Sequence, residues 1–118
     1  MMVELQTATK SPELDLEVGL HIMGYDPIIH EGKSVGILHG AFCPSADTDT
    51  ALDILAPYVM DRYKVGFWCY QEYSEDLPLW WAAFGDNMIK GNWQKEQELS
   101  LAITKAAVEI YQQKEGKE

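Results

Sequence analysis

Apolar and polar positions alternate along the chain with two periods, and the switches between them predict the elements. Leu14, Val18, His21 and Ile22 recur at helical spacing and form one stripe. Ser11 offers an N-cap, Pro12 fits the first helical position, and Glu13 and Asp15 sit at the positive end of the dipole. Gly24 is a plausible stop, so a helix is predicted over 12–23. The short β-prone runs 28–29 and 35–38 flank Glu31-Gly32-Lys33, which reads as a tight turn and gives a first hairpin. A second helix follows, capped by Ser45 or Asp47. Ala51, Leu55, Tyr58 and Arg62 form one stripe, and Leu52, Ala56 and Val59 the next. Pro57 lies inside this pattern and predicts either a bend at Ala56 or two short helices.

The strongest strand signal runs from Lys64 to Tyr73. Val65, Phe67, Cys69 and Gln71 point one way, and Trp68 and Tyr70 the other. Ser74-Glu75-Asp76 reads as a turn into a second strand over 79–84, giving an antiparallel hairpin. Residues 85–93 read as a loop with a short strand at 88–90. A third helix is predicted over 96–113, with Leu99, Ile103, Ala106 and Ile110 as its buried stripe, widened by Ala102 and Ala107. Residues 1–10 read as a loose tail, 11–113 as one domain and 114–118 as a charged, frayed tail. Both central strands are apolar on both faces, so the expected fold is α+β: a small antiparallel sheet covered by helices, an α-β-α sandwich.

Charge narrows the partners. Nineteen Asp and Glu oppose nine Lys and Arg, a net −10 in 118 residues, and Arg62 is the one arginine. Such a chain repels nucleic-acid duplexes and anionic membranes. The start of the chain has no apolar signal-like core, and no apolar run is long enough to span a bilayer. A cytoplasmic protein is expected, with Cys43 and Cys69 as buried thiols and no structural disulfide.

The order and spacing of several short motifs resemble the phage ABA-sandwich domain family and the related NinX-like proteins. They are Leu14-Asp15 through Met23-Gly24-Tyr25, then Phe42-Cys43-Pro44-Ser45 with Asp47, Pro57, Trp80 to Ala82, and Ala102-Ile103 with Ala106-Ala107. The aromatic strand 65–73 and the loop 85–93 depart from that pattern. The resemblance implies an α-β-α sandwich and a phage accessory protein inside the host cell, without implying enzymatic activity. By analogy, small phage proteins of this size often act against host defence.

Candidate chemistry is sparse. His21, His30 and His39 lack metal-ligand spacing, and His21 reads as a hydrogen-bonded core histidine. His39 with Cys43 carries no nucleophile signature, and no phosphate-cradling glycine motif is present. The carboxylates Asp47, Asp49, Asp53, Glu72, Glu75 and Asp76 are explained by caps, turns and a solvated surface. The aromatics are more informative: four Trp and six Tyr, with Trp68, Tyr70, Tyr73, Trp80, Trp81 and Trp93 close in sequence. Either they fill the core, or some stack on a ligand. Trp80 and Trp81 must face opposite sides of their strand, so one of them belongs to the core.

These readings converge on a non-enzymatic protein that sequesters a small nucleotide-like host signal. Trp68, Tyr70, Trp80 and Trp81 would stack, Arg62 or Lys64 would meet phosphate, and Ser45 would lie near a helix start. No cofactor is expected, and a homo-oligomer is. The alternatives are an acidic inhibitor docking on a basic surface of a host defence nuclease or effector, and a structural or morphogenetic phage component.

Overall fold

The computed structural model describes residues 3–38, 41–73, 78–89 and 92–115. Helix α1 spans Pro12–His21, and Ser11 caps it as expected, its hydroxyl accepting from the Leu14 N–H at 3.1 Å. Leu14, Val18 and Ile22 enter the core. His21 does not: it lies off that stripe, half exposed, 3.4 Å from Glu17 and ring-to-ring with Tyr111 at 6.4 Å. The reading of His21 as a core histidine is therefore corrected. Gly24 adopts a left-handed φ of 71°, which a helix stop needs.

Strands β1 (Pro27–His30) and β2 (Lys33–Ile37) form the first hairpin. Its two-residue turn is Glu31-Gly32, both at positive φ, the conformation that matches the twist of paired strands. The pairing shifts register between Ile28 and Ile29. The hairpin leans on α1 through β2, where Ile37 approaches Gly19 so closely that a Cβ there would stand 2.7 Å from its tip.

The proline-containing segment is one continuous helical run rather than two separate short helices. Helix α2 (Thr48–Thr50), a π-helical segment (Ala51–Leu55) and α3 (Ala56–Tyr63) run on without a break. Asp47 is the cap, accepting from the Thr50 N–H at 3.3 Å. The Ala56 N–H bonds the Ala51 carbonyl, one residue further back than in an α-helix. This widened turn directly precedes Pro57, which cannot donate and whose ring crowds the carbonyl four residues back. Lys64 ends α3 in the left-handed conformation.

Strands β3 (Gly66–Glu72), β4 (Leu79–Gly85) and β5 (Gln94–Glu96) form an antiparallel sheet in the order β3-β4-β5. The turn expected at 74–76 and the tail beyond 115 lie outside the described residues. The extra strand is displaced from the expected 88–90 to Gln94–Glu96, where β4 offers an open edge to pair with. Helix α4 (Leu99–Lys114) accordingly starts later than residue 96.

Every residue of α4 from Ser100 to Val108 is buried, so it is the central helix rather than a one-sided surface helix. It packs on β4 and β5 and against the π segment and α3. Lys105, buried among apolar neighbours, is neutralised by Glu96 at 2.6 Å. The α+β architecture of helices against antiparallel strands holds. Within it the three-stranded sheet turns Trp80, Ala82, Phe84 and Phe67 to the core and is an outer layer. Its second apolar face is covered differently from the helix layer expected: aromatic rings lie over it. Residues 3–10 also differ from a loose tail. Val3 and Leu5 pack on the core, Gln112 donates to the Val3 carbonyl at 3.0 Å, and Lys10 pairs with Glu98 at 2.8 Å.

Candidate functional site

Strand alternation sorts the aromatics. With Trp80, Ala82 and Phe84 turned inward, Trp81 and Ala83 turn outward on β4, and across the ladder Trp68, Tyr70 and Glu72 face the same way on β3. Tyr70 lies opposite Trp81, with ring planes 9° apart and centroids 6.0 Å apart. Trp93, just before β5, meets Tyr70 edge-on at 5.3 Å. Trp68 folds back along its own strand over Gly66. A Cβ at Gly66 would stand 2.8 Å from the indole, so glycine makes room for the ring. Ala83, opposite Trp68, is fully buried although it is on the outer side.

Two polar contacts fix the centre of this face. The Trp81 indole Nε1–H donates to a Glu72 carboxylate oxygen at 2.9 Å. Lys95, opposite Trp81 on β5, holds its ammonium 5.3 Å from the indole centroid. Trp93 donates its Nε1–H to the Met88 carbonyl at 3.2 Å. Trp81 and Trp93 are thereby each held by a polar contact, while Tyr70 remains 49% exposed. Lys95 was not singled out from the sequence, and Trp93 was named among the clustered aromatics but not as a site residue; the alternation Trp93-x-Lys95 beside an aromatic strand was the available signal.

The other expected site residues lie elsewhere. Arg62 is engaged twice over: it donates to the His21 and Ile22 carbonyls and grips both Glu115 carboxylate oxygens at 2.7 and 2.8 Å. Tyr63 donates to the same carboxylate at 2.6 Å. Arg62 is thus a lock between α1, α3 and the end of α4, not a cation held ready for phosphate. Lys64 pairs with Asp61 at 3.3 Å, both well exposed. Ser45 is fully buried: its N–H donates to Asp15 at 2.8 Å, its hydroxyl accepts from the Ser11 N–H at 3.2 Å, and its carbonyl accepts from Ser100 at 3.1 Å. Such a junction presents no group to a phosphate, so the placement of Ser45 at a ligand is corrected. Trp80, on the inner side, borders a shallow cleft of about 550 Å³ with Lys10, Thr48 and Leu99.

Among the described residues no three His, Cys, Asp or Glu gather for a metal. Cys69 belongs to the face opposite the rings, and partial desolvation by its neighbours pushes its thiol up, away from the reactive thiolate. Both cysteines are free, but Cys43 is half-buried and Cys69 exposed, which corrects the reading of both as buried. His39, the partner considered for Cys43, lies outside the described residues. No helix among the described residues is long and apolar enough to cross a membrane.

The chain matches no family model, no curated protein and no solved structure. The resemblance to the phage sandwich family therefore rests on its short motifs alone.

Proposed function

We propose that this protein is a non-catalytic binding protein that stacks the planar ring of a small nucleotide-like ligand on the outer face of its three-stranded sheet. The observation that carries the reading is the cluster Tyr70, Trp81 and Trp93 on the outer face, with Lys95 over Trp81 and Trp68 on the same side of β3. Aromatic faces stack on any heterocycle, each contributing about 1–3 kcal/mol. Lys95 takes the role expected of Arg62 or Lys64. A single cation beside Glu72 suits a ligand with few phosphates, and the net charge of −10 opposes a long polyanion.

In the phage setting that the motifs resemble, such binding would withdraw a host signal from its receptor. Calorimetry against ADP-ribose, cyclic dinucleotides and cyclic trinucleotides tests the reading. Heat with one of them, lost in Trp81→Ala, supports it; no heat with any of them rejects it.

The second reading is an acidic inhibitor of a basic host protein, favoured by the exposed Asp49 and Asp53 on the helical run before Pro57. That association weakens steeply with salt, whereas stacking does not.

A further inference from the structure

Pro12, Asp15, Leu16 and Gly19 share one face of α1, the face turned to the β1–β2 hairpin. At Gly19 helix and hairpin touch, because the missing side chain admits the tip of Ile37. One turn earlier they part. Between Leu16 on the helix and Val35 on β2 lies a cavity of about 510 Å³, inside the range of roughly 300–1,000 Å³ that takes a small molecule. Leu16, Val35 and Ile37 give it apolar walls. Its charged groups are of one sign: Glu13 and Asp15 line it, and no Lys, Arg or His does among the described residues.

Asp15 decides what such a cavity accepts. It is 6% exposed, and burial raises its carboxyl above the ordinary value. Among the described residues Ser45 is its one hydrogen-bond partner, with the Ser45 N–H on Oδ1 at 2.8 Å. A carboxylate has about four acceptor positions, so capacity remains. A molecule that fills the cavity displaces water from this group and must return the donors it removes. A purely apolar molecule has none, and an anion meets two carboxylates. A metal ion lacks its ligands, since no three ligating side chains gather here among the described residues. A primary ammonium brings three donors and a positive charge, which makes the stronger kind of hydrogen bond to a carboxylate. The net charge of −10 also concentrates cations around the chain.

We infer that this cavity binds a small organic amine, its ammonium on Asp15 with Glu13 beside it and its apolar body between Leu16 and Val35. The site is built from α1 and the hairpin and does not rest on the ring-face reading.

Cys43 lines the same cavity and reports on it, while the exposed Cys69 of β3 is an internal control. The probe is 2-phenylethylamine, with 2-phenylethanol as its neutral counterpart and 3-phenylpropionate as its anionic one. Alkylation of the full chain by iodoacetamide is followed at each cysteine by mass spectrometry. At about 5 mM, enough to fill a site with a Kd of about 1 mM, the amine slows Cys43 about fivefold and leaves Cys69 unchanged. The alcohol and the acid protect far less. Asp15→Asn keeps an acceptor for Ser45 but removes the charge, and raises the half-protecting concentration about tenfold. Val35→Trp fills the cavity from the hairpin side, where Val35 is 58% exposed, and abolishes protection. It decides the matter if the Asp15 variant fails to fold. Unchanged Cys43 alkylation in the amine, equal slowing of Cys43 and Cys69, or equal protection by the neutral alcohol overturns the inference. So does a folded Asp15→Asn or Val35→Trp protected as well as wild type.

Discussion

Trp80 and Trp81 are neighbours in the chain and lie on opposite faces of β4, the first packed toward Phe84 and the core, the second stacked on Tyr70 with Lys95 above it. One strand thus divides its indoles between holding the fold and presenting a surface. Substitution separates the two roles. Trp80→Ala destabilises the fold in chemical denaturation, by less than the about 3–5 kcal/mol of a fully buried ring because Trp80 is only partly buried. Its ligand affinity in calorimetry stays near wild type. Trp81→Ala and Tyr70→Ala show the reverse emphasis, each weakening stacking by about 1–3 kcal/mol.

The buried ion pair of Lys105 and Glu96 responds asymmetrically. Glu96→Ala leaves an ammonium that is 5% exposed without its carboxylate, and chemical denaturation reports a loss of about 3–5 kcal/mol. Replacing both partners together, Lys105→Met with Glu96→Leu, is neutral or stabilising, because the desolvation of two charges disappears with them.

Asp15 ties α1 to the Ser45 turn, and Ser45 in turn accepts from Ser100 of α4. Burial raises the Asp15 carboxyl above its ordinary value, with the Ser45 bonds pulling the other way. Asp15→Ala strands the buried Ser45 N–H and costs about 1–3 kcal/mol by denaturation. Asp15→Asn keeps an acceptor oxygen and costs less. Because the folded value is raised, the asparagine variant gains relative to wild type at neutral pH and loses that advantage as the pH falls and Asp15 protonates.

The Arg62, Tyr63 and Glu115 lock gives stability two pH limbs. Burial pushes the Glu115 carboxyl up, but the bonds from Tyr63 and Arg62 outweigh it and hold the group below its ordinary 4.5. A depressed carboxylate stabilises above its unfolded value, and that contribution is lost as pH falls through the folded one. Burial, then the Glu115 bond, hold the Tyr63 hydroxyl above its ordinary 10.0. Its contribution is complete below that pH and is lost as the pH rises beyond it. Melting temperatures followed with pH will fall less steeply in acid for Glu115→Gln, and less steeply in alkali for Tyr63→Phe, than for wild type.

What could be read from the chain was what local chemistry decides. Ser11-Pro12 starts a helix, Glu31-Gly32 turns a hairpin, and the alternation from Val65 to Glu72 makes a strand. What could not be read depends on partners far away. Gln94–Glu96 has no strand character of its own and pairs because β4 has a free edge. Pro57 signalled a disruption, but a widened turn rather than a break keeps Ala51, Leu55 and Val59 together in the core. Arg62 looked available because Glu115 is 53 residues away, and Ser45 looked like a helix start because Asp15 and Ser100 are distant in sequence.

The four indole N–H resonances report the central claim residue by residue. In a nitrogen-proton correlation spectrum of labelled protein titrated with the tightest ligand of the calorimetric panel, Trp81 and Trp93 shift most and Trp68 moves with them. Trp80, behind the sheet, stays in place. A ligand that moves Trp80 while leaving Trp81 and Trp93 unshifted binds somewhere other than the outer face, and contradicts the account.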